Sequence, residues 1–391
     1  MPHDRQAFRA RVLGAFGARG PVAEELLAYN HTDLGRPEQL WRLTFPLAAE
    51  LHVAAWEAYA AEAAGRGAWE VLRQRLPQLR FPVREGISQT GAYRRATRRG
   101  MPVDAAAPGL SLRSPDRLRL WVNASLAGPI PVLCSGDRED FVRLVQALSY
   151  RNEPRPVPGS MGACLVSGFN NWDRVRQYRR GWEARRPPHD SSGGWAEEFS
   201  RLIPRKDLYQ DRFLIVSEGF YSNVAAEEMG LAPEEWRCLS LAIRLGHECT
   251  HYLTLRLFCS VRNHPLDELI ADYAGIEAAC GRYRADWFLR FVGLERFPRY
   301  REGARLENYR GRPPLSEAAF RVLQALVKSA ADNLARLDAA WLPPPRDARA
   351  QALLLAALYD STLEELASDE AEGLLRRRLE PPGPGSDNGL S

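Results

Sequence analysis

The stretch LGHECTHYL, residues 245–253, sets His247 and His251 four residues apart with Glu248 beside the first. On an α-helix that spacing puts both imidazoles on one face, roughly 6 Å apart, within reach of a single metal ion. Glu248 projects about 100° further round, where a carboxylate can take a proton from a water beside the metal. Two imidazoles leave such a site incomplete. The next carboxylates come in HPLDELIADYAG, residues 264–275, which carries Glu268 and, four residues on, Asp272. Glu268 can supply a third ligand, and Asp272 can accept the other ring N–H of a ligand histidine, fixing its tautomer and orientation. A plainer reading makes Asp267 and Glu268 first-turn carboxylates after Pro265 and the histidines surface polar groups. Against it, WRCLSLAIRLGHECTHYLTLRLF is apolar round most of a helical circumference. Its polar groups are therefore expected to be buried, and buried polar groups must find partners.

HECTH followed by ELIAD at 268–272 resembles the zinc site of the thermolysin-like gluzincin metallopeptidases, whose pattern is H-E-x-x-H and then E-x-x-x-D. The resemblance implies His247, His251 and Glu268 as zinc ligands, Glu248 as general base and Asp272 as the partner of His247. It covers residues 247–272 only. It also implies hydrolysis of an amide bond in a peptide or a small amide-containing substrate. In that family an extended edge strand precedes the helix and pairs with substrate. Here EGFYSNVAAEE (218–228) occupies that place, with Asn223 as a possible substrate contact. A sheet strand ending in a polar turn fits the same residues. Cysteine ligation is not expected, because the cysteines lack the close spacing of zinc-cysteine sites.

Sixteen residues separate His251 from Glu268. A helix running to Cys259 carries the chain about 12 Å beyond His251, so a short loop has to bring it back. His264 is the last histidine, so a group that stabilises a transition state must be of another type. RFPRYREGARLENYRG (296–311) offers Arg305 and Tyr309, which share a face if this stretch is helical. They could meet an oxyanion or a substrate carboxylate. A solvated arginine-rich loop is the alternative.

The elements around these residues suggest an α+β fold: N-terminal helices, a central mixed β-sheet subdomain, a zincin-like helix pair and a C-terminal helical subdomain. Residues 1–80 form the helical N-terminal region, with PEQLWRLTFPLAAELHVAAWEAYAAEAAGRGAWEVLRQRL read as helices. Residues 81–260 form a mixed α/β subdomain ending in the HECTH helix. Its short β-rich runs are LRLWVNASL, PIPVLCSG, GACLVSGF and RFLIVSEGFYSNV, with helical patterns in DREDFVRLVQALSY and WDRVRQYRRGWEA. AYRRATRRG (92–100) could bind an anion but reads better as an exposed turn. Residues 261–380 form a helical subdomain carrying Glu268, with helices from 265 to about 283, 315 to 341 and 346 to 377. The tail 381–391 has too few apolar residues to order itself.

Composition narrows the function classes. The chain of 391 residues has net charge +4, but its 53 basic and 49 acidic residues are interspersed, so nucleic acid is not an expected partner. All but Lys206 and Lys328 among the basic residues are arginine, which fits the codon bias of a GC-rich genome and weakens arginine as a signal. Six scattered cysteines without a C-x-x-C pair favour reduced thiols, and no apolar run approaches the ~18 residues of a membrane span. A cytoplasmic protein without a membrane partner is expected. His52 lies in an apolar pattern and is expected to be packed, not a ligand. Three functions remain open: a zinc-dependent peptidase, a zinc-dependent non-peptide hydrolase or lyase in secondary metabolism, and a non-catalytic helical protein with a structural or lost metal site.

Overall fold

The computed structural model describes residues 2–30, 40–103, 109–186, 194–259, 264–341 and 347–381. The chain forms two compact units, one of residues 1–47 with 224–391, the other of residues 48–223. The architecture is α+β: helical at both ends, with one four-stranded mixed sheet between.

The first unit opens with α1 (Pro2–Ala15) and α2 (Pro21–Tyr29). The expected helix over residues 40–52 is absent. Leu40–Arg42 make a single 3-10 turn, and no helix follows before Val53 because Pro46 interrupts the run. Residues 37–39 of the same expected run lie outside the described residues.

The second unit contains α3 (Val53–Arg66), α4 (Ala68–Arg75), α5 (Gly91–Arg99), β1 (Leu118–Asn123), β2 (Ile130–Ser135), α6 (Arg138–Leu148), β3 (Ala163–Asn170), α7 (Trp172–Ala184), α8 (Trp195–Leu202) and β4 (Gln210–Ser217). The strand order is β1-β2-β4-β3; β2 and β4 run parallel and the outer pairs antiparallel. β2 and β4 are nearly all Ile, Val, Leu, Phe and Cys where they pair, as strands buried on both faces require. Trp56, Phe141, Leu144, Phe213 and Ile215 form the core beside them. Within it Asp211 is fully buried and satisfied by Arg174 Nη1 at 2.6 Å, Asn171 Nδ2 at 2.7 Å and Trp56 Nε1 at 2.8 Å. His52 is buried at the start of α3, and burial pushes its imidazole down to about 4, so it stays neutral.

Two expectations fail in this unit. AYRRATRRG is not a turn but α5, because Thr90 Oγ1 caps it by accepting from Tyr93 N and Gly100 ends it in the left-handed conformation at φ 64. The expected edge strand at 218–228 is absent. β4 ends at Ser217 and is an inner strand; Tyr221–Asn223 form a 3-10 turn with Ser222 and Asn223 at positive φ, and α9 (Ala226–Met229) follows. The sheet edges are β1 and β3.

The first unit resumes with α9 and then α10 (Pro233–Phe258), α11 (Pro265–Cys280), α12 (Ala285–Val292), α13 (Glu317–Trp341), α14 (Ala348–Tyr359), α15 (Leu363–Ala367) and α16 (Ala371–Leu379). The long helix expected over 346–377 is three helices. Thr362 ends it with a capping box, its Oγ1 accepting from Glu365 N at 3.1 Å while Glu365 Oε2 accepts from Thr362 N at 2.7 Å. Residue 346 and the tail 382–391 lie outside the described residues.

Candidate metal centre

α10 begins as its sequence dictates, with Pro233 in the first turn and Glu234 and Glu235 complementing the helix dipole. Trp236, fully buried, donates its indole N–H to Val224 O at 2.9 Å and anchors the start. α11 begins at His264, whose Nδ1 accepts from Leu266 N at 3.3 Å, with Pro265 following. It ends at Gly281 in the left-handed conformation. Residues 265–277 of α11 are all buried, so this helix is wrapped by others on every side.

The two helices cross where Gly246 meets Gly275. A Cβ on Gly275 would lie 2.4 Å from Ile243 O, and one on Gly246 would lie 2.8 Å from Gly275 Cα. Only two glycines let the backbones approach this closely. That approach brings the residues one turn along each helix together.

His247 Nδ1 lies 2.7 Å from Asp272 Oδ1. Its Nε2 lies 3.0 Å from His251 Nε2, and the Glu268 oxygens lie 3.6 Å from each of these two nitrogens. One donor atom from each of His247, His251 and Glu268 falls within 4.8 Å of the others, and all three residues are buried. No cysteine belongs to the group, and none of the six forms a disulfide.

The donor set fits a divalent cation. With Asp272 accepting the Nδ1 proton, the Nε2 of His247, once it gives up its own proton to a cation, would turn its lone pair into the space shared with His251. Two imidazole nitrogens and a carboxylate thus converge in a buried space, and a cation would satisfy all three at once. Burial lowers the His247 imidazole, but the hydrogen bond to Asp272 and the nearby carboxylates outweigh it and raise the net value. His251 is pushed down to about 4 by burial and by His247, so it is neutral with its lone pair available near pH 7. Glu248 is half-buried, and burial raises its carboxyl above the ordinary range.

Arg305 and Tyr309 lie on a 3-10 turn, Arg305–Tyr309, and both reach this cluster. Arg305 Nη2 donates to Asp272 Oδ2, the oxygen turned away from His247. The Tyr309 hydroxyl hydrogen-bonds Glu268 and is held far above its ordinary range by burial and that carboxylate. Asn223 is the last residue of the other unit, in the 3-10 turn already described and not on a strand.

The sequence reading missed what holds α11 in place. His264 Nε2 lies 3.1 Å from Asn30 Oδ1. Asn30 Nδ2 donates to Glu364 at 3.0 Å, and Arg9 donates to the same carboxylate at 3.2 and 3.3 Å. Residues from α1, the end of α2 and α15 therefore fix the residue that caps the helix carrying Glu268. His-Pro at 264–265 was the available signal for that cap.

Asp272→Asn is expected to weaken metal binding by about 10–100-fold while the fold persists, because an amide orients His247 without matching the carboxylate's charge. Zinc titration of the variant against wild type checks this; equal affinities would remove Asp272 from the account.

Fold and site together define an α+β protein with a buried His-His-Glu cluster able to hold a divalent metal ion. The chain belongs to a family of unknown function, DUF7005, whose sequence profile matches residues 11–370. No curated protein and no solved structure matches it. Among the described residues no helix is long and apolar enough to cross a membrane.

Proposed function

We propose that the chain is a zinc-dependent hydrolase that cleaves amide bonds, with a peptide or small amide as substrate. The observation that carries this reading is the convergence of His247, His251 and Glu268 with Glu248 next to the first ligand on α10. Zinc bound there would supply a Lewis acid that polarises the scissile carbonyl and acidifies water. Glu248 takes the proton from the attacking water at its carboxylate and returns it to the departing amine. Asp272 keeps the His247 proton on Nδ1, and Arg305 holds Asp272 in turn. Arg305 and Tyr309 are the residues proposed to meet the oxyanion or a substrate carboxylate.

The same ligand set would serve non-peptide hydrolysis or elimination, since chemistry is decided by the pocket and not by the ligands alone. The absence of a strand at 218–228 removes the family-like support for an extended peptide at that segment. A mixed peptide library incubated with the zinc-loaded chain separates the readings. Cleavage that a chelator stops and zinc restores is the expected result. An intact library, with turnover of small amides or esters, would replace the peptidase reading with the second.

A further inference from the structure

The metal centre is assembled from three pieces of the first unit: α10 with His247 and His251, α11 with Glu268 and Asp272, and the turn Arg305–Tyr309. Gly246 and Gly275 fix the first two pieces where they cross, but Glu268 lies about two turns from Gly275, in the first turn of α11. The first turn of a helix lacks intrahelical partners for its N–H groups and is where a helix frays. Glu268 N bonds to His264 O at 3.1 Å, so this ligand is as steady as the residue that caps its helix.

Two adjacent residues at the end of α2 touch both the cap and the turn. The Tyr29 hydroxyl donates to Tyr309 O, and its ring centre lies 5.0 Å from that of His264. The same ring packs on Gly311, just past the turn, where an added Cβ would come within 3.1 Å of it. Asn30 binds His264 Nε2 through Oδ1 at 3.1 Å and donates from Nδ2 to Glu364 at 3.0 Å. Asn30 and Glu364 are fully buried, and Arg9 holds the same carboxylate, so the anchor is fixed from behind. One turn earlier on α2, Glu25 accepts from Ser316 N at 2.7 Å and Ser316 Oγ at 2.6 Å, which ties α2 to the residue before α13.

We infer that Tyr29 and Asn30 are positioning residues of the metal centre, clasping the cap of α11 and the 305–309 turn so that Glu268 stays on the ion and Tyr309 stays on Glu268. The inference rests on the metal-binding reading of the His247, His251 and Glu268 cluster. Neither residue reaches a donor atom; Asn30 acts through His264 and Tyr29 through the backbone of Tyr309. Without the clasp the first turn of α11 opens more often, and each opening leaves two imidazoles to hold the ion. Metal release therefore speeds up beyond what any loss of fold stability explains.

The test loads the full chain with cobalt(II), whose visible absorption depends on ligand number and geometry, and times its release to excess chelator well below the melting temperature. Tyr29→Phe removes one hydroxyl and keeps the ring on His264. Asn30→Ala also leaves His264 and Glu364 short of a buried partner, so it will lower the melting temperature as well. Leu375→Ala is the control, because it opens a cavity under α16 in the same unit and removes none of these contacts. Tyr29→Phe and Asn30→Ala are expected to release cobalt about tenfold or more faster than wild type, with a changed spectrum. Leu375→Ala is expected to melt lower yet keep the wild-type spectrum and release rate. A Tyr29 or Asn30 variant that releases cobalt at the wild-type rate would remove that residue from the role. A Leu375→Ala chain that releases it as fast as they do would reduce the clasp to fold stability and overturn the inference. A wild-type chain that takes up no cobalt would strike the metal reading itself, and this role with it.

Discussion

Glu248→Gln is expected to leave the metal bound and to cut turnover by on the order of 10²–10⁴-fold. The carboxamide has the size of the carboxylate and sits on the same helix, so neither His247 nor His251 needs to move. What it loses is the ability to accept a proton. Burial that lifts the Glu248 carboxyl above the ordinary range brings it closer to the neutral pH at which a general base works best. Steady-state rates for the glutamine variant, with metal content measured on the same sample, check this. A variant that keeps the metal and most of its activity would take Glu248 out of the reaction.

Gly275→Ala is expected to destabilise the first unit and to loosen the metal site together. In an open helix this substitution stabilises by about 1 kcal/mol, because alanine has the better helix propensity. Here the new Cβ would sit 2.4 Å from Ile243 O and 3.2 Å from His247 N, both backbone atoms that cannot turn aside. Overpacking of this kind costs roughly 1–3 kcal/mol and sometimes more, so the clash outweighs the propensity gain. The helices must separate, and separation pulls Asp272 and Glu268 away from the histidines on α10. Gly14→Ala in α1, where nothing lies within 4 Å of the added Cβ, is the control and should be neutral or mildly stabilising. Thermal melts and zinc titrations of both variants check the pair. A Gly275→Ala chain as stable and as tight for zinc as wild type would mean that the crossing does not set the site.

The candidate ligands were legible because they depend on one helix at a time. His247 and His251 share a face by the i, i+4 rule, and Glu268 and Asp272 do so on the next helix. What joins the two faces was not legible. Gly246 and Gly275 stand next to the motifs in plain view, yet their importance depends on the crossing of α10 and α11, which neither segment encodes alone. The buried network of Arg9, Asn30, His264 and Glu364 is harder still, since Arg9 and Glu364 are 355 residues apart.

Local signals explain several of the other differences. Thr90 and Gly100 bracket α5, Gly281 ends α11, Gly293 ends α12, and Thr362 with Glu365 starts α15. Each is a cap that outweighs the apolar pattern around it. The segment 218–228 failed for a different reason. β4 already ends at Ser217, and Ser222 and Asn223 take positive φ, outside the range of regular strand backbone.

Elemental analysis of the purified chain, wild type beside Glu268→Ala, tests the central claim most directly. One zinc per wild-type chain, weakened or lost without Glu268, is the expected result, since removing one of three ligands leaves two imidazoles to hold the ion. A wild-type chain that retains no tightly bound metal after zinc is offered would contradict it, and HECTH would then be a stretch of buried helix and no more.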